Sequence, residues 1–220
     1  MDAARRKQVG RLLLELTIVF VGVLIALAAD SWRSDREDAA RGATLLGALQ
    51  VDLEEADGRL GDVLGVTDSR LTALREFIEW LQSDLPTPEG MSLPDLRIEA
   101  LAIPTGTLDL LASTSDMRLV TDEDLRNTII RASAALKAAE LERGRLQAAT
   151  YAVNRGFAVP WQALRIQGVE GLPPEVVRAS AELSGAYVQH FVLVQGDQPA
   201  LTRMSESIES VRDAVSAAQR

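Results

Sequence analysis

Apolar residues are distributed along this chain in two distinct ways. Leu12 to Ala29, LLLELTIVFVGVLIALAA, is an almost uninterrupted apolar run. As a helix with 1.5 Å rise per residue it is about 27 Å long, the thickness of a bilayer's hydrocarbon core. Beyond Ser31 the apolar positions recur instead at intervals of three and four, the period of amphipathic helices. A first seam runs Leu46, Leu49, Leu53, Ala56, Leu60, Val63, Thr67 and, after an extra four-step, Leu71, Leu74, Ile78, Leu81, Leu85. That extra step is a stutter, which locally unwinds a coiled coil. A second runs Leu125, Ile129, Ala132, Leu136, Ala139, Arg143, Leu146, Thr150, Val153, Phe157. A third runs Val176, Ser180, Leu183, Tyr187, His190, Val194, Asp197, Leu201, Met204, Ile208, Val211, Val215. The third keeps its phase across Gly196 and Pro199, which predicts one kinked helix there rather than two. The expected fold is all-α: a transmembrane helix, then an elongated antiparallel bundle of three long helices with short connecting helices. The divisions are 1–11, a basic cytoplasmic segment; 12–30, the span; and 31–220, a helical ectodomain.

Breakers and caps set the boundaries. Pro86, Pro88, Gly90 and Pro94 end the first long helix. Short helices are expected over Leu93 to Ile103 and over Leu108 to Ala112, the latter capped by Thr105 or Thr107, with a turn at Ser113-Thr114-Ser115-Asp116. That Ser/Thr cluster reads either as capping or as a ligand loop. Thr121 is expected to cap the second long helix, its acidic neighbours Asp122, Glu123 and Asp124 suiting the positive end of the helix dipole. A calcium loop is the alternative reading, though the alternating ligands and glycine of an EF-hand are missing. Pro160 is expected to stop that helix, with Trp161 to Ile166 a short continuation, and Pro174 to open the last helix. Gly58, Gly61 and Gly65 mark either an exposed, weakened face or a groove for close helix approach.

Polar residues on apolar seams are the candidate site. If the three long helices run out, back and out again, counting from the turns puts Thr67, Arg143 and His190 at one height, with Asp197 two turns beyond. Two readings stand. A polar layer would fix register and offer a place for an anion or for a pH response through His190. Otherwise Arg143's stem carries its charge to solvent.

The apolar run also has two readings. Arg5, Arg6, Lys7 and Arg11, with Ala26-Leu27-Ala28, match a cleavable signal peptide. Its length, Glu15 within it and Trp32 directly after it match a retained span with an interfacial aromatic. The basic residues before the span predict a cytoplasmic N-terminus and a periplasmic C-terminal domain. Arg11, Glu15, Gly22, Ala26, Ala29 and Arg33 share one face. Gly22-x-x-x-Ala26 permits close helix packing there, and Glu15 is costly toward lipid, so self-association or packing on a membrane partner is expected. The alternative is that Glu15 snorkels to the interface.

Glu15-Leu16, Gly22-Val23-Leu24-Ile25-Ala26-Leu27 and Asp30-Ser31-Trp32 resemble the start of a family of uncharacterised bacterial single-pass membrane proteins. Members carry Gly-Glu-Ile/Leu, Gly-Ile-Leu-Ile-Ala-Leu and Asn-Trp-Asn in one continuous helix. Leu111 to Leu125, LASTSDMRLVTDEDL, is similar to that family's Leu-x-Ser-Ser-Gly-x-Leu-x-Leu-Ile segment. The chain departs from the pattern near Arg11, where a family glycine would fall, and at Ser115, which replaces the second glycine. The resemblance implies no activity, since the family is a domain of unknown function.

A net charge of −9 makes nucleic acid an improbable partner. With one histidine and no cysteine, no two-histidine metal site or thiol chemistry is available. Phosphate loops, GxSxG and HExxH are missing too. No cofactor, no metal and no enzymatic activity are expected. Two function classes remain: an interaction or scaffolding protein of the bacterial envelope, or an extracytoplasmic sensory module. The second would signal through a partner, as only eleven residues precede the span. The expected partners are the bilayer, another copy, or a membrane protein.

Overall fold

A computed structural model describes the backbone of residues 2–166 and 173–218 and the side chains of 16–156 and 173–218. The fold is all-α, and the described residues contain no strand. The elements are α1 (Asp2–Leu81), α2 (Gly106–Ser113), a 3-10 turn (Ser115–Leu119), α3 (Glu123–Ile166), α4 (Pro174–Ala179) and α5 (Ala181–Ala218). The helix of the apolar run continues without a break into the first amphipathic seam as one element of 80 residues. No residue from Leu16 to Arg41 is buried, and Gly42 is the first that is. Large apolar side chains from Leu16 to Leu27 are 45–66% exposed on all sides of the helix. This part of α1 is long and apolar enough to cross a membrane.

From Gly42 onward α1 is a wall of the bundle, and the direction of every other element follows from its partners. Along α1, Asp57 pairs with Arg212, Asp68 with Gln198, and Phe77 stacks on Tyr187. α5 therefore runs antiparallel to α1. It is also antiparallel to α3, where Arg143 pairs with Asp197 and Glu142 with Arg203. α1 and α3 are consequently parallel, which replaces the out-back-out order expected from the seams. The return journey is made by residues 82–105, an extended strap that runs back along α1 and α3. Leu96 meets Asn154, Glu99 meets Gln147 and Arg143, Ala102 meets Arg59, and Thr107 meets Asp52. The short helix expected over Leu93 to Ile103 is not formed. Pro94 and Pro104 bracket the stretch, and Leu96 and Ile98 turn inward while Asp95 and Arg97 turn outward, the alternation of an extended chain.

α2 forms where Leu108 to Ala112 is expected, with Leu108 and Leu111 fully buried. It is stitched to both parallel helices by carboxylates. The Thr107 N–H donates to Asp52 Oδ2 of α1 at 3.1 Å. Asp109 accepts from Ser133 Oγ at 3.0 Å and pairs with Lys137 Nζ at 2.9 Å, both on α3. Burial raises the Asp109 pKa, but hydrogen bonds from Lys137, Ser133 and Thr105 outweigh it and hold the carboxyl below its usual range. Thr114 Oγ1 accepts from the Asp116 N–H at 3.2 Å, so the Ser/Thr cluster does capping work. α3 is capped by Asp122 rather than Thr121, Oδ1 accepting from the Leu125 N–H at 2.9 Å. α3 continues through Pro160 to Ile166 rather than stopping there; Phe157 and Trp161 lie outside the described side chains.

The third seam holds from Leu183 to Val215, with Pro199 inside a single helix. Before it, Ser180 leaves the helix (φ −105°, ψ 113°), closes α4 and caps α5, accepting from the Leu183 N–H at 3.3 Å. That break rotates α4, so Val177 rather than Val176 is fully buried. At the far end of α1 the buried stripe passes to Phe77 and Trp80 instead of Ile78, Leu81 and Leu85, and Leu85 is 65% exposed. The aromatics win because Tyr187 stacks 4.7 Å from Phe77 and Arg178 lies 4.1 Å over Trp80.

Gly58, Gly61 and Gly65 are exposed, and a Cβ on any of them would meet nothing within 4 Å. The close approach is at Gly42, where a Cβ would stand 2.8 Å from the Leu119 carbonyl oxygen. Alanine should therefore have opposite effects along one helix. Gly58→Ala and Gly65→Ala should each stabilise by up to about 1 kcal/mol through helix propensity. Gly42→Ala should destabilise by about 1–3 kcal/mol through overpacking against backbone. Urea unfolding of the three variants checks the signs.

Candidate functional site

Polar side chains enter the bundle interior at two levels. At the first, Arg143 Nε donates to Asp197 Oδ1 at 2.7 Å and Nη2 donates to Oδ2 at 3.0 Å. Nη2 also donates to the Glu99 carbonyl of the strap at 3.0 Å. The two side chains are only 5% and 2% exposed, so Arg143 does not carry its charge to solvent. The planar guanidinium suits this buried, bidentate role. The pair separates two apolar clusters, one around Leu60, Ile129 and Met204, the other around Leu74, Phe77 and Tyr187. Thr67 is buried on α1 beside Asp68, whose Oδ1 accepts from Gln198, the residue after Asp197. Thr67 and Arg143 thus share a level.

His190 does not join them. It lies two turns earlier on α5 than Asp197, about 10 Å along the axis. The expected three-residue layer is split because the α3–α5 register is shifted by the seven residues from His190 to Asp197: α3 runs on to Ile166, and Ser180 breaks α4 from α5. His190 is fully buried, and neither ring nitrogen has a hydrogen-bond partner. Burial pushes its pKa down to about 4; the Arg70 charge acts in the same direction and Asp95 opposes it. Arg70 pairs with Glu99 at 2.9 Å and stands 3.9 Å from Asp95. Hydrogen bonds from Arg97 hold the Asp95 carboxyl below its usual range. One turn before His190, burial and the Asp95 charge raise the Tyr187 pKa.

The α3 side of this second level is also polar. Asn154 Nδ2 donates to the Leu96 carbonyl at 2.6 Å and Gln147 Nε2 to the Glu99 carbonyl at 3.4 Å, pinning the strap at two points. Between them is a cavity of about 110 Å³ lined by Arg97, Ile98, Gln147, Thr150, Tyr151 and Asn154. Thr150 Oγ1 and Asn154 Oδ1 are buried beside it without partners. The arrangement can bind by hydrogen bonding. Sequence reasoning reached Thr67, Arg143, Thr150, His190 and Asp197 through the seams. It missed Arg70, Asp95, Glu99 and Asn154, for which the alternating Asp95-Leu96-Arg97-Ile98-Glu99 was the available signal.

In the apolar part of α1, Gly22, Ala26 and Ala29 are exposed, and a Cβ at Gly22 meets nothing within 4 Å. The side chains of Arg11 and Glu15 lie outside the described residues. At 100° per residue the three small residues fall within about 40° of the direction opposite Leu49 and Leu60. This face therefore points away from the bundle. Among the described residues no three His, Asp or Glu side chains are grouped to hold a metal. No family model, curated protein or solved structure matches the chain.

Proposed function

We propose that this is a non-enzymatic, membrane-anchored interaction or scaffolding protein of the bacterial envelope, with a cytoplasmic N-terminus and a periplasmic bundle. The observation that carries the reading is the continuity of α1. One helix is unburied from Leu16 to Arg41 and becomes a wall of the bundle at Gly42. A bundle joined this way to a span holds a fixed height and orientation above the bilayer, which suits a protein that positions a partner. The small-residue face of the span, turned away from the bundle, leaves room for a second helix. The resemblance at Glu15 to Trp32 supports placement with the uncharacterised single-pass family.

A second reading, a sensory module acting through a partner, is favoured by the cavity beneath the strap. The rigid α1 would carry a change there to the span.

The test is a reporter fused after Arg220 combined with pull-down from detergent. The reporter should be active only outside the cytoplasm, and co-purifying membrane proteins or second copies should disappear in Gly22→Leu/Ala26→Leu. Cytoplasmic reporter activity would overturn the orientation. Capture that survives the double substitution would remove the span from the interaction.

A further inference from the structure

Helical serine and threonine hydroxyls in this protein have a common habit. Those of Thr44, Ser69, Thr72, Thr202 and Ser207 donate back to the carbonyl four residues earlier, at 2.7–3.0 Å. That bond satisfies a hydroxyl within its own helix. Thr150 departs from the habit. It is 4% exposed, sits on an apolar seam, and its hydroxyl has no partner. Asn154, one turn on, uses its amide nitrogen on the strap and leaves its buried Oδ1 unmatched. A buried polar atom left unpaired is destabilising. Valine at 150 would have filled the same space without that cost.

We propose that the cavity between the strap and α3 is a binding site for a small uncharged molecule that both donates and accepts hydrogen bonds, a primary amide or its hydroxylated relatives. Thr150 Oγ1 can donate or accept, and Asn154 Oδ1 accepts, so the ligand must bring at least one donor. Charge is excluded by the surroundings: Arg97 is committed to Asp95, Arg70 to Glu99, and Arg143 to Asp197. An ion entering would face no unpaired counter-charge. Ile98 gives the ligand's carbon end an apolar surface, and Tyr151, 71% exposed, stands at the mouth. The strap is a fixed roof, pinned on either side of Ile98 by Asn154 and Gln147. The inference holds whether the protein scaffolds or senses.

Acetamide is the probe, and acetate its charged counterpart of nearly equal shape. Full-length protein in nanodiscs is titrated with each while the side-chain amide resonances of Gln147 and Asn154 are followed by NMR. Acetamide should shift both saturably, with a dissociation constant on the order of 1 mM, what four heavy atoms deliver. Acetate should bind at least about tenfold more weakly, and so should acetamide to Thr150→Val, the loss of one hydrogen bond to a buried partner. Thr150→Ser should retain binding. Linear, unsaturable shifts would overturn the site and leave the hydroxyl matched by water only. Acetate binding as tightly as acetamide would overturn the uncharged class. Equal binding by Thr150→Val would remove Thr150 from the site. The comparison of acetamide with acetate needs no variant, so it stands even if Thr150→Val does not fold.

Discussion

Asp197→Ala should lower the midpoint of thermal unfolding by roughly 10 °C, the largest shift expected of any single substitution here. The carboxylate accepts two hydrogen bonds from Arg143 at 2.7 and 3.0 Å, and water reaches neither side chain. Removing it leaves a guanidinium buried with only the Glu99 carbonyl for company, and breaking such a pair costs about 3–5 kcal/mol. In a chain of this length each kcal/mol moves the midpoint by about 2–4 °C. The double replacement Arg143→Met/Asp197→Leu should recover most of that loss, because apolar residues join the clusters on either side of the pair. The Glu99 carbonyl keeps Gln147 as a donor in that variant. Circular dichroism melts of the three proteins decide it. A shift below about 2 °C for Asp197→Ala would mean that Arg143 finds water in solution. A double variant as unstable as the single one would mean that the polar layer itself sets the register of α5.

That layer shows what a periodic sequence reveals and what it hides. Spacing at three and four identified which side of each helix is inside, and it did so well: from Leu183 to Val215 the seam and the buried residues differ only by the addition of Ala200. It carried Arg143, His190 and Asp197 into the interior by the same logic. Spacing has no direction, however. A helix running up and one running down present the same stripe, so it fixes neither the direction of α3 against α1 nor the register of α5, which is shifted by the seven residues from His190 to Asp197. Direction is written in the connection. From Gly42 to Leu81 the bundle is about 60 Å long, and the residues between Leu81 and Gly106, extended, reach about 80 Å. Antiparallel neighbours are usually joined by about 2–8 residues. A stretch of this length with paired prolines and alternating polarity is a crossover, which returns the chain and leaves α3 parallel to α1.

The crossover also explains why the strap's contacts at the second polar level were invisible. Arg70 of α1 finds Glu99 and Asp95 on the strap, and Asn154 of α3 finds its Leu96 carbonyl. Each of these contacts joins a helix to an extended segment, so no helical repeat could register it. Gly42 was hidden for the same reason. Its partner is a backbone oxygen of the 3-10 turn, a contact that depends on where the strap delivers the chain. The strap is therefore the element that turns three seams into one fold, although its own apolar side chains are only half-buried.

Acidification from pH 6.5 to about 4 should strip this protein of up to about 3 kcal/mol of stability, and one residue should account for it. His190 is the single histidine of the chain and is held neutral in the interior, its pKa pushed down to about 4 by burial, with Arg70 of α1 adding to the push and Asp95 of the strap resisting it. Unfolding returns the imidazole to water, where it titrates near 6.5. Above that value both states bind no proton and the stability is complete. As the pH falls, the unfolded chain takes up the proton first, so stability declines until the folded protein also protonates near 4. The carboxylates held low in the folded protein, Asp95, Asp109 and Glu175, begin to lose their stabilisation as the unfolded chain protonates, from about pH 5 downward, so they enter only at the lower end of this window. His190→Phe keeps an aromatic ring among Leu74, Phe77 and Tyr187 and removes the titration. Its stability should be flat from pH 6.5 to about 5, with only the carboxylates' acid limb below. Urea unfolding at half-unit pH intervals on the two proteins separates the outcomes. If the unaltered protein is equally flat across that window, the ring nitrogens of His190 have a partner in solution, and the polar level beneath the strap is closed by water rather than left open to protonation.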